Sequence, residues 1–449
     1  MLRARNLRGS NSFSAPAKLF RNGKIALFFT LNMSQTLVEK IIAKNLVSGE
    51  PREGEFVKIR VDRLLCHEVT TPPALEMLEK RGITKVFDPA KIVVTPDHFV
   101  PAKDEKSAGL AKKLDEWVRS AGIKNYYPIG RHGVCHTIFL EQGHVGPGMV
   151  VIAGDSHTCT HGVVGALAFG VGTTDVAAAI ATGEVWLEAP RTIRVILKGK
   201  LQPGVFAKDA MLEVVRILGV DGATDRVIEF SGELIDALEV EDRVVFSNMA
   251  VETGATCGII PPDEKTIEYV KARGLTDFEI LKSDDDAEFE KTVEIDVSDL
   301  EPQVAFPHLP SNVKPISFAK KDKIKIDQAY LGSCTNGRIQ DLREAAAVLK
   351  GRKIADGVRM IVVPATTEIW RQADAEGLFK IFTDAGATIS TPTCGACLGG
   401  HMGVLAAGEK AIASTNRNFV GRMGSKESEV YLASPRIVAT SAVAGFISD

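Results

Sequence analysis

Three cysteines lie in short stretches of small residues that could present their thiols to a metal. Cys394 and Cys397 are three positions apart in "TPTCGACLGG", and Cys334 lies upstream in "GSCTNGR". A redox dithiol is disfavoured, because that motif opens a helix in a thioredoxin-like unit and glycines interrupt this one. Spacing alone leaves two metal sites open. His401 could complete a Cys₃His zinc tetrahedron, or the thiols could hold an iron–sulfur cluster with one iron free of protein ligands.

Histidines beside carboxylates form a second set, suited to proton transfer. Asp97-His98 in "TPDHF" and Asp155-Ser156-His157 in "GDSHTCTHG" place the two groups side by side, and His136 lies in "CHTIF". A carboxylate partner raises the pKa of a histidine and fixes its tautomer. These imidazoles are therefore candidate acids or bases, although any one of them alone is more often an ordinary core or loop residue.

Two arginines and an asparagine form a candidate anion site near the end of the chain. Asn416, Arg417 and Arg422 lie in "NRNFVGR", with no run of neighbouring bases. Guanidinium groups match carboxylates in a bidentate geometry, so this loop is suited to an acidic substrate. Asn248 and Glu252 in "SNMAVETG" are four positions apart, which puts both on one face if they begin a helix.

The candidate residues follow short β-branched runs that alternate with Ala- and Glu-rich helical stretches. That alternation predicts an α/β protein with mainly parallel sheets. Ligands bind at the carboxyl ends of strands in such sheets, so we expect these loops to converge on one cleft. Shifts in composition predict a basic N-terminal extension over 1–32 and three α/β domains over 33–190, 191–306 and 307–449, the last carrying the cysteines.

The composition indicates a globular protein whose overall charge does not favour binding to nucleic acids or acidic membranes. A net charge of −3 over 449 residues gives no reason to expect nucleic-acid binding, and no apolar run reaches the length of a membrane span. Seven dispersed cysteines argue against a disulfide framework and for a reducing, cytoplasmic location. Residues 1–32 carry six basic and no acidic side chains, which fits an organelle transit peptide or translation starting at Met33.

Four motifs together resemble the aconitase superfamily, and within it the large subunits of two-subunit isopropylmalate dehydratases and homoaconitases. "GDSHTCTHG", "GSCTNGR", "CGACLGG" and "NRNFVGRMG" occur in the family's order, and the likeness runs from about Met33 to the C-terminus. The resemblance implies a three-domain aconitase-like core around a central cleft. It also implies a [4Fe–4S] cluster held by Cys334, Cys394 and Cys397, with one iron open.

The resemblance implies a hydro-lyase that isomerises a hydroxy di- or tricarboxylate by removing and restoring water. The catalytic residues it implies are Asp97, His98, His136, Asp155, His157 and Glu252. Asp97-His98 would protonate the leaving hydroxyl, while His136 with Asp155 and His157 with Glu252 would form supporting pairs. The substrate contacts it implies are His67, Ser156, Asn248, Asn416, Arg417 and Arg422. Aconitases proper carry glutamine where this chain has His67.

The resemblance also implies a separate small subunit. Single-chain aconitases continue into a swivelling fourth domain that carries the proton-abstracting base, and this sequence ends at "SAVAGFISD" without it. We therefore expect a hetero-oligomer, a heterodimer in its simplest form, whose small subunit supplies that domain and the base. Isopropylmalate in leucine biosynthesis is the first expected substrate, ahead of homoaconitate-type acids in lysine biosynthesis and methylated malates. An RNA-binding regulator and a zinc-stabilised structural protein are the other classes left open.

Overall fold

Within residues 34–449, the strands form four β-sheets. The computed structural model describes residues 34–449 as one compact unit, and the predictions for residues 1–32 lie outside the described residues. The sheets draw on three consecutive stretches of chain, over 46–188, 191–296 and 303–432. Most strand pairs are parallel, so the predicted α/β class is confirmed. The division into three domains at 190 and 306 stays a prediction.

The first stretch contains an antiparallel three-stranded sheet and a parallel five-stranded sheet. Its elements are α1 (Leu37–Asn45), β1 (Leu46–Ser48), β2 (Phe56–Arg60), β3 (Arg63–Cys66), α2 (Thr71–Glu79), β4 (Ile92–Val94), α3 (Glu105–Ser120), β5 (Asn125–Tyr126), α4 (Cys135–Glu141), β6 (Val150–Ala153), β7 (Leu167–Gly170), α5 (Thr173–Thr182) and β8 (Glu184–Glu188), with 3₁₀ helices over Pro89–Lys91 and Ser156–Val164. The strand orders are β1-β2-β8 and β5-β4-β3-β6-β7. A capping box between Thr36 and Glu39 satisfies two N–H groups where α1 begins.

The second stretch forms a parallel four-stranded sheet of order β11-β10-β9-β12. Its elements are β9 (Arg191–Lys198), α6 (Ala207–Leu218), β10 (Arg226–Ser231), α7 (Glu233–Ala237), α8 (Val240–Met249), β11 (Cys257–Ile259), α9 (Glu264–Ala272) and β12 (Lys291–Asp296), with a 3₁₀ helix over Ala250–Thr253. Helix α6 also contacts the third stretch, because Asp209 Oδ1 accepts a hydrogen bond from Gln303 N at 2.8 Å. The first turn of α6 is therefore buried between two stretches.

The third stretch forms a seven-stranded sheet of order β14-β13-β19-β18-β15-β16-β17, parallel from β19 to β17. Its elements are β13 (Gln303–Ala305), β14 (Val313–Pro315), α10 (Ile316–Ala319), β15 (Gln328–Gly332), α11 (Ile339–Leu349), β16 (Arg359–Val363), α12 (Thr367–Ala375), α13 (Leu378–Ala385), β17 (Thr388–Ile389), β18 (Lys410–Ala413), β19 (Glu429–Leu432) and α14 (Pro435–Ala444), with 3₁₀ helices over Lys320–Asp322 and Gly395–Leu398.

The central parallel strands are buried along their whole length, as β6 and β15 illustrate. Burial on both faces is typical of parallel sheets, and it explains why these strands read as continuous apolar runs. One apolar core spans the first two stretches and extends into the third, where it includes Tyr330 and Leu432, and a second core lies within the third stretch. The loops at the strand ends therefore start from fixed backbone. Within residues 34–449, none of the helices is both long and apolar enough to traverse a bilayer.

Candidate active site

The predicted site residues occupy loops at the carboxyl ends of parallel strands. His67 follows β3, Asp97-His98 follow β4 and Asp155–His157 follow β6, and these three strands are neighbours in one sheet. The loops with the cysteines and arginines follow β15, β17 and β18 of the seven-stranded sheet. A backbone hydrogen bond of 2.8 Å from Cys394 N to Asp97 O joins the two sets. The structure thus brings the predicted loops together at one place.

His98 is held between two carboxylates. Its Nδ1 makes a short hydrogen bond with Asp97 Oδ1, and its Nε2 lies 3.5 Å from Asp155 Oδ2. Burial opposes a charged imidazole, but the attraction of Asp97 and the hydrogen bonds to Asp155 and Asp97 outweigh it and raise the pKa of His98 well above its usual value. Burial likewise opposes ionisation of Asp97, yet His98 lowers the pKa of that carboxyl to about 2. The pair favours an imidazolium that can donate a proton.

Asp155 links His98 to two further histidines. Its Oδ1 accepts from His136 Nε2 and from His157 N, both at 2.8 Å. Burial opposes ionisation, but hydrogen bonding and attraction from His136, followed by His98, hold the pKa of Asp155 well below its usual value. His161 lies behind His136, with the Nε2 of His161 3.4 Å from the Nδ1 of His136. Burial lowers the pKa of His161, so this imidazole is neutral.

A third pair joins His157 to Glu252. His157 Nε2 lies 3.0 Å from Glu252 Oε1, and Arg417 Nε contacts both oxygens of Glu252 at 2.8 and 2.9 Å. Burial and the charge of Arg417 lower the pKa of His157 to about 4, so the imidazole is neutral and donates its Nε2 proton. Although burial opposes ionisation of Glu252, hydrogen bonding to His157 and the charge of Arg417 lower its pKa. The surroundings therefore favour the charged form of His98 and the neutral form of His157.

The three thiols are buried or half-buried, and those of Cys334 and Cys397 contact asparagine side chains. Cys334 Sγ accepts from Asn248 Nδ2 at 3.2 Å and from Asn416 Nδ2 at 3.3 Å. Cys397 Sγ lies 3.8 Å from Asn416 Oδ1 and is hydrogen-bonded to Cys394. That bond, together with the positive charge of nearby Arg422, lowers the pKa of Cys397 although burial opposes this. Amide donors aimed at sulfur are the kind of contact that tunes a bound iron–sulfur cluster.

The grouping of the ligand atoms bears on the zinc site that the sequence left open. A tetrahedral zinc site needs sulfurs only about 3.8 Å apart, given a zinc–sulfur bond of about 2.3 Å. Among residues 34–449, no three ligand atoms drawn from Cys334, Cys394, Cys397 and His401 all lie within 4.8 Å of one another. His401 instead pairs its Nε2 with Pro101 O at 2.9 Å. Among the described residues these four groups therefore do not form the compact ligand set that a single zinc ion needs.

The loop around Cys334 has the unusual backbone that close approach to a ligand requires. Gly332 and Ser333 both have positive φ, at 146° and 115°. A Cβ on Gly332 would lie 2.5 Å from Val363 O, so only glycine fits there. Ser333 is the strained member, and its Oγ accepts from Thr335 N at 3.2 Å and from Asn336 N at 3.4 Å. These bonds hold Cys334 at the strand end.

An open cavity of about 460 Å³ leads to this site. The residues lining it are Val220, Val251, Glu252, Leu398, Arg417, Phe419, Val420, Gly421 and Arg422. Two of the predicted anion-binding arginines therefore face one opening. Arg417 is fixed by Glu252 on one side and by Ser156 on the other, where its Nη1 donates to Ser156 Oγ at 2.9 Å. A fixed guanidinium is suited to holding a carboxylate.

His67 differs from the other predicted substrate contacts. It is fully buried and stacks on the His98 ring, with 4.4 Å between the ring centroids and 9° between the planes. Its Nδ1 accepts from Val69 N at 3.4 Å and its Nε2 lies 3.0 Å from Thr70 Oγ1. Both ring nitrogens are therefore engaged within its own loop. Among the described residues, His67 lies against the His98 ring and does not line the cavity, and its role as a substrate contact stays a prediction.

Four residues of the site were missed by sequence reasoning. Glu68 and Lys208 bond mainly to backbone atoms, which leave no mark in a sequence. Thr335 bridges the two asparagines, since its Oγ1 donates to Asn248 Oδ1 at 2.6 Å and accepts from Asn416 Nδ2 at 2.9 Å. His161 lies inside "GDSHTCTHG" and could have been found there. The cysteines outside the thiol set, at positions 66, 135, 159 and 257, are all buried, as expected for small apolar residues.

Comparison with known sequences identifies the class of protein. The pattern of the Aconitase family (aconitate hydratase) matches residues 39–445, so this chain belongs to the aconitase family. The family implies an iron–sulfur cluster, and cysteines that could hold one are present. The fold is accordingly the aconitase-like α/β fold.

Several relatives are similar over almost their whole length. The chain is 53% identical over 416 residues to the 3-isopropylmalate dehydratase large subunit of Halothermothrix orenii, covering 93% of this chain and 99% of that one. It is 52% identical over 417 residues to the protein of the same name from Acetivibrio thermocellus, with coverage of 93% and 99%. The 3-isopropylmalate dehydratase large subunit 1 of Pyrococcus furiosus is 52% identical over 414 residues, with coverage of 92% and 98%.

Proposed function

We propose that this chain is the cluster-bearing large subunit of a 3-isopropylmalate dehydratase, a hydro-lyase of leucine biosynthesis. The reaction moves a hydroxyl group between adjacent carbons by loss and return of water. The names of relatives that are more than half identical support isopropylmalate over the homoaconitate-type and methylated acids that the sequence left open. The observation that carries the proposal is His98, held between the carboxylates of Asp97 and Asp155 in a loop that is hydrogen-bonded to the backbone of Cys394.

We assign Cys334, Cys394 and Cys397 as the ligands of a [4Fe–4S] cluster whose fourth iron has no protein ligand. When bound, such a cluster supplies a Lewis acid that polarises the hydroxyl group to be lost. The asparagine amides on Cys334 and the guanidinium of Arg422 near Cys397 stabilise negative charge on the sulfurs. Thiolates are the form that binds iron, and these neighbours favour that form.

The histidines and aspartates around His98 act on the departing hydroxyl group. His98 donates a proton to that oxygen, so the C–O bond breaks with release of water. Asp97 fixes the His98 ring through Nδ1, and Asp155 stands 3.5 Å from the Nε2 that carries the mobile proton. His136 holds Asp155 in place. On rehydration the same groups act in reverse, with His98 accepting the proton of the incoming water.

Arg417 and Arg422 hold the carboxylates of the substrate in the cavity. Arg417 approaches through a guanidinium already oriented by Glu252 and Ser156, so little rotamer freedom is lost on binding. Neutral His157 keeps its Nδ1 as an acceptor 3.5 Å from Ser156 Oγ. Ser156 and His157 can together accept a hydrogen bond from a hydroxyl group of the substrate, and they do not compete for its carboxylates.

The second proton, on the carbon beside a carboxylate, is removed by a base that we assign to a small subunit. The aligned relatives are named large subunits, which supports a separate small one. The rim of the cavity exposes Phe419 by 37% and Val420 by 57%, and apolar side chains at an opening suit a docking protein. We propose that the small subunit closes over this rim as a swivelling domain. The cytoplasmic location stays a prediction.

The test uses the full chain purified without oxygen, with iron, acid-labile sulfide and zinc measured on one sample. We expect close to four irons and four sulfides per chain, and turnover of 3-isopropylmalate only after a small subunit is added. Formation of the unsaturated intermediate is followed by its ultraviolet absorption. Zinc without sulfide would overturn the cluster assignment, and full turnover by the single chain would overturn the placement of the base.

A further inference from the structure

The Glu68 carboxylate is the most completely used acceptor near the site. It is fully buried, with its Oε2 accepting from Asp97 N at 2.9 Å and its Oε1 accepting from His98 N at 2.8 Å and Phe99 N at 2.7 Å. Three consecutive backbone N–H groups therefore point at one side chain. Bonds from N–H groups to an ionised carboxylate are about twice as strong as neutral ones.

These three bonds join the ends of two neighbouring strands. Glu68 lies just after β3, and Asp97 to Phe99 lie just after β4, which pairs with β3 in parallel. A loop leaving a parallel strand has no partner strand for its N–H groups, and unpaired buried groups are costly. Glu68 supplies the acceptors that an adjoining strand would otherwise supply. It therefore fixes the backbone of the loop that carries His98.

The same loop is held from the opposite side by the seven-stranded sheet. Asp97 O accepts from Cys394 N at 2.8 Å and from Thr393 Oγ1 at 3.0 Å. Asp97 Oδ2 accepts from Cys135 N at 2.9 Å. Glu68 thus accepts from the N–H groups of the loop, whereas the carbonyl of Asp97 accepts from the loop that carries Cys394. The position of His98 relative to the thiols depends on both anchors.

A metal ion is a second explanation for Glu68, and its bonding pattern argues against it. The ligand atoms of His67, Glu68, Asp97 and His98 all lie within 4.8 Å of one another. Both oxygens of Glu68 are already engaged by backbone N–H groups, and the Asp97 carboxylate is engaged by His98 and Cys135. An ion would have to replace these bonds. The four side chains are accounted for by one another and by the backbone.

We propose that Glu68 is a positioning residue that sets the place of His98 for proton donation through the backbone of Asp97, His98 and Phe99. Glu68 touches neither the cavity lining nor a thiol among the described residues, so its effect is indirect. A carboxylate is needed because a glutamine amide would offer one oxygen and would turn an NH₂ group toward a backbone N–H. The inference rests on the proposed function only through the role of His98.

The experiment compares Glu68→Gln and Glu68→Asp in the full chain, with the cluster in place and the small subunit added. We expect Glu68→Gln to lower kcat by about 10–10²-fold, because a misplacement of about 1 Å can cost that much, while KM changes less than about threefold. Glu68→Asp keeps the charge and both acceptors, and we expect it to recover at least half of the loss on a logarithmic scale. Iron and sulfide content should match the parent in both variants.

Amide hydrogen exchange gives a readout that does not depend on activity. Exchange at Asp97, His98 and Phe99 should speed up by about tenfold or more in Glu68→Gln and less in Glu68→Asp, because each amide loses or keeps a charged acceptor. If the parent shows no dehydratase activity while this exchange pattern holds, the proposed function fails and the anchoring stands. Parent-like kcat, or parent-like exchange at these three amides, in Glu68→Gln would overturn the positioning role.

The matched control is Glu229→Gln. Glu229 is also buried, on β10, and it accepts a single side-chain bond, from Ser283 Oγ at 2.6 Å. This change places an amide in a buried carboxylate position away from the site, and kcat should stay within about twofold of the parent. An equal fall of kcat in both variants would show a general cost of the amide and would contradict a specific role for Glu68.

Discussion

The imidazole side and the thiol side of the site differ in how their polar groups are satisfied. On the imidazole side, Asp97 bonds to His98 and Asp155 bonds to His136, each at an ordinary hydrogen-bond distance or shorter. On the thiol side, the contacts of sulfur run from 3.2 to 3.8 Å, and burial raises the pKa of Cys334 to about 12. Folding alone completes the first set. Under the proposed function, the second set would be completed by metal bound to its thiolates.

This difference separates the part of the site that is held by hydrogen bonds within the chain from the part that we propose is completed by metal binding. Networks of charged hydrogen bonds in a buried place are rigid, because each partner fixes the next. Sulfur makes longer and weaker hydrogen bonds than oxygen or nitrogen, so the positions of these thiols are set mainly by their backbone. Substitutions on the two sides should therefore separate loss of metal from loss of proton transfer.

Cys397→Ser breaks the thiol side and should have the largest effect. Serine replaces a soft thiolate with a hard, poorly ionised hydroxyl, so we expect loss of acid-labile sulfide and turnover lower by at least about 10³-fold. The far-UV circular dichroism spectrum should match the parent, because the imidazole side does not depend on the metal. The control is Cys257→Ala, which removes a buried thiol outside the set, and this variant should keep the acid-labile sulfide content of the parent. Full sulfide content in Cys397→Ser would contradict the ligand assignment.

His98→Asn breaks the imidazole side and should leave the metal in place. Removing a general acid costs typically about 10²–10⁴-fold in kcat, while iron and sulfide per chain should equal those of the parent. The control is His144→Asn, since His144 pairs with Tyr127 Oη at 2.6 Å outside the site. Loss of the cluster in His98→Asn would remove the distinction between the two sides.

Arg417→Lys sharpens the comparison by testing the residue that serves substrate and network together. The guanidinium contacts both oxygens of Glu252 and Ser156 Oγ, and an ammonium cannot reproduce this planar arrangement. We expect KM to rise by about 10–10²-fold, equivalent to about 1.4–2.8 kcal/mol, with sulfide content unchanged. Arg436→Lys, on an exposed arginine, is the matched control. An unchanged KM would place the carboxylate elsewhere.

The sequence was sufficient for those parts of the site in which residue type and spacing carry the chemistry. Cys334, Cys394 and Cys397, and the step Asp97-His98, are visible because thiols and imidazoles beside carboxylates are rare in loops. The pairing of His157 with Glu252 spans 95 positions and came only from the family resemblance. No local pattern encodes such a distance. The alternation of strands and helices was likewise enough for the parallel sheets, because buried strands read as apolar runs.

The parts that could not be predicted depend on backbone atoms. Glu68 looks like any acid after a strand until three N–H groups are seen to face it. His401 looks like a zinc ligand four positions after Cys397, but its Nε2 is taken by Pro101 O. His67 is predicted as a substrate contact, and only the structure shows that its ring stacks on that of His98. In each case the three-dimensional position of a main-chain group or ring decides the role, and a sequence does not contain it.

Lys208→Met should have the smallest effect on turnover and tests how the thiol side is supported from outside its own sheet. Lys208 comes from α6 of the second stretch, is 1% exposed, and donates to Ser414 O, Thr415 O and Asn336 Oδ1 at 3.0, 2.7 and 3.2 Å. Burial lowers the pKa of this ammonium to about 8, and the negative charge of Asp341 opposes that shift.

Methionine keeps the length of Lys208 and leaves these three acceptors without their donor. We expect the free energy of unfolding to fall by about 1–3 kcal/mol, measured by denaturant titration, because unsatisfied buried groups carry that cost. The loops of Cys334 and Asn416 lose a common support, so sulfide should be lost faster in air while the initial kcat stays within about threefold. Lys380→Met, on an exposed ion pair with Asp384, should change stability by no more than about 0.5 kcal/mol. Equal destabilisation by both changes would mean that the thiol side stands without its link to α6.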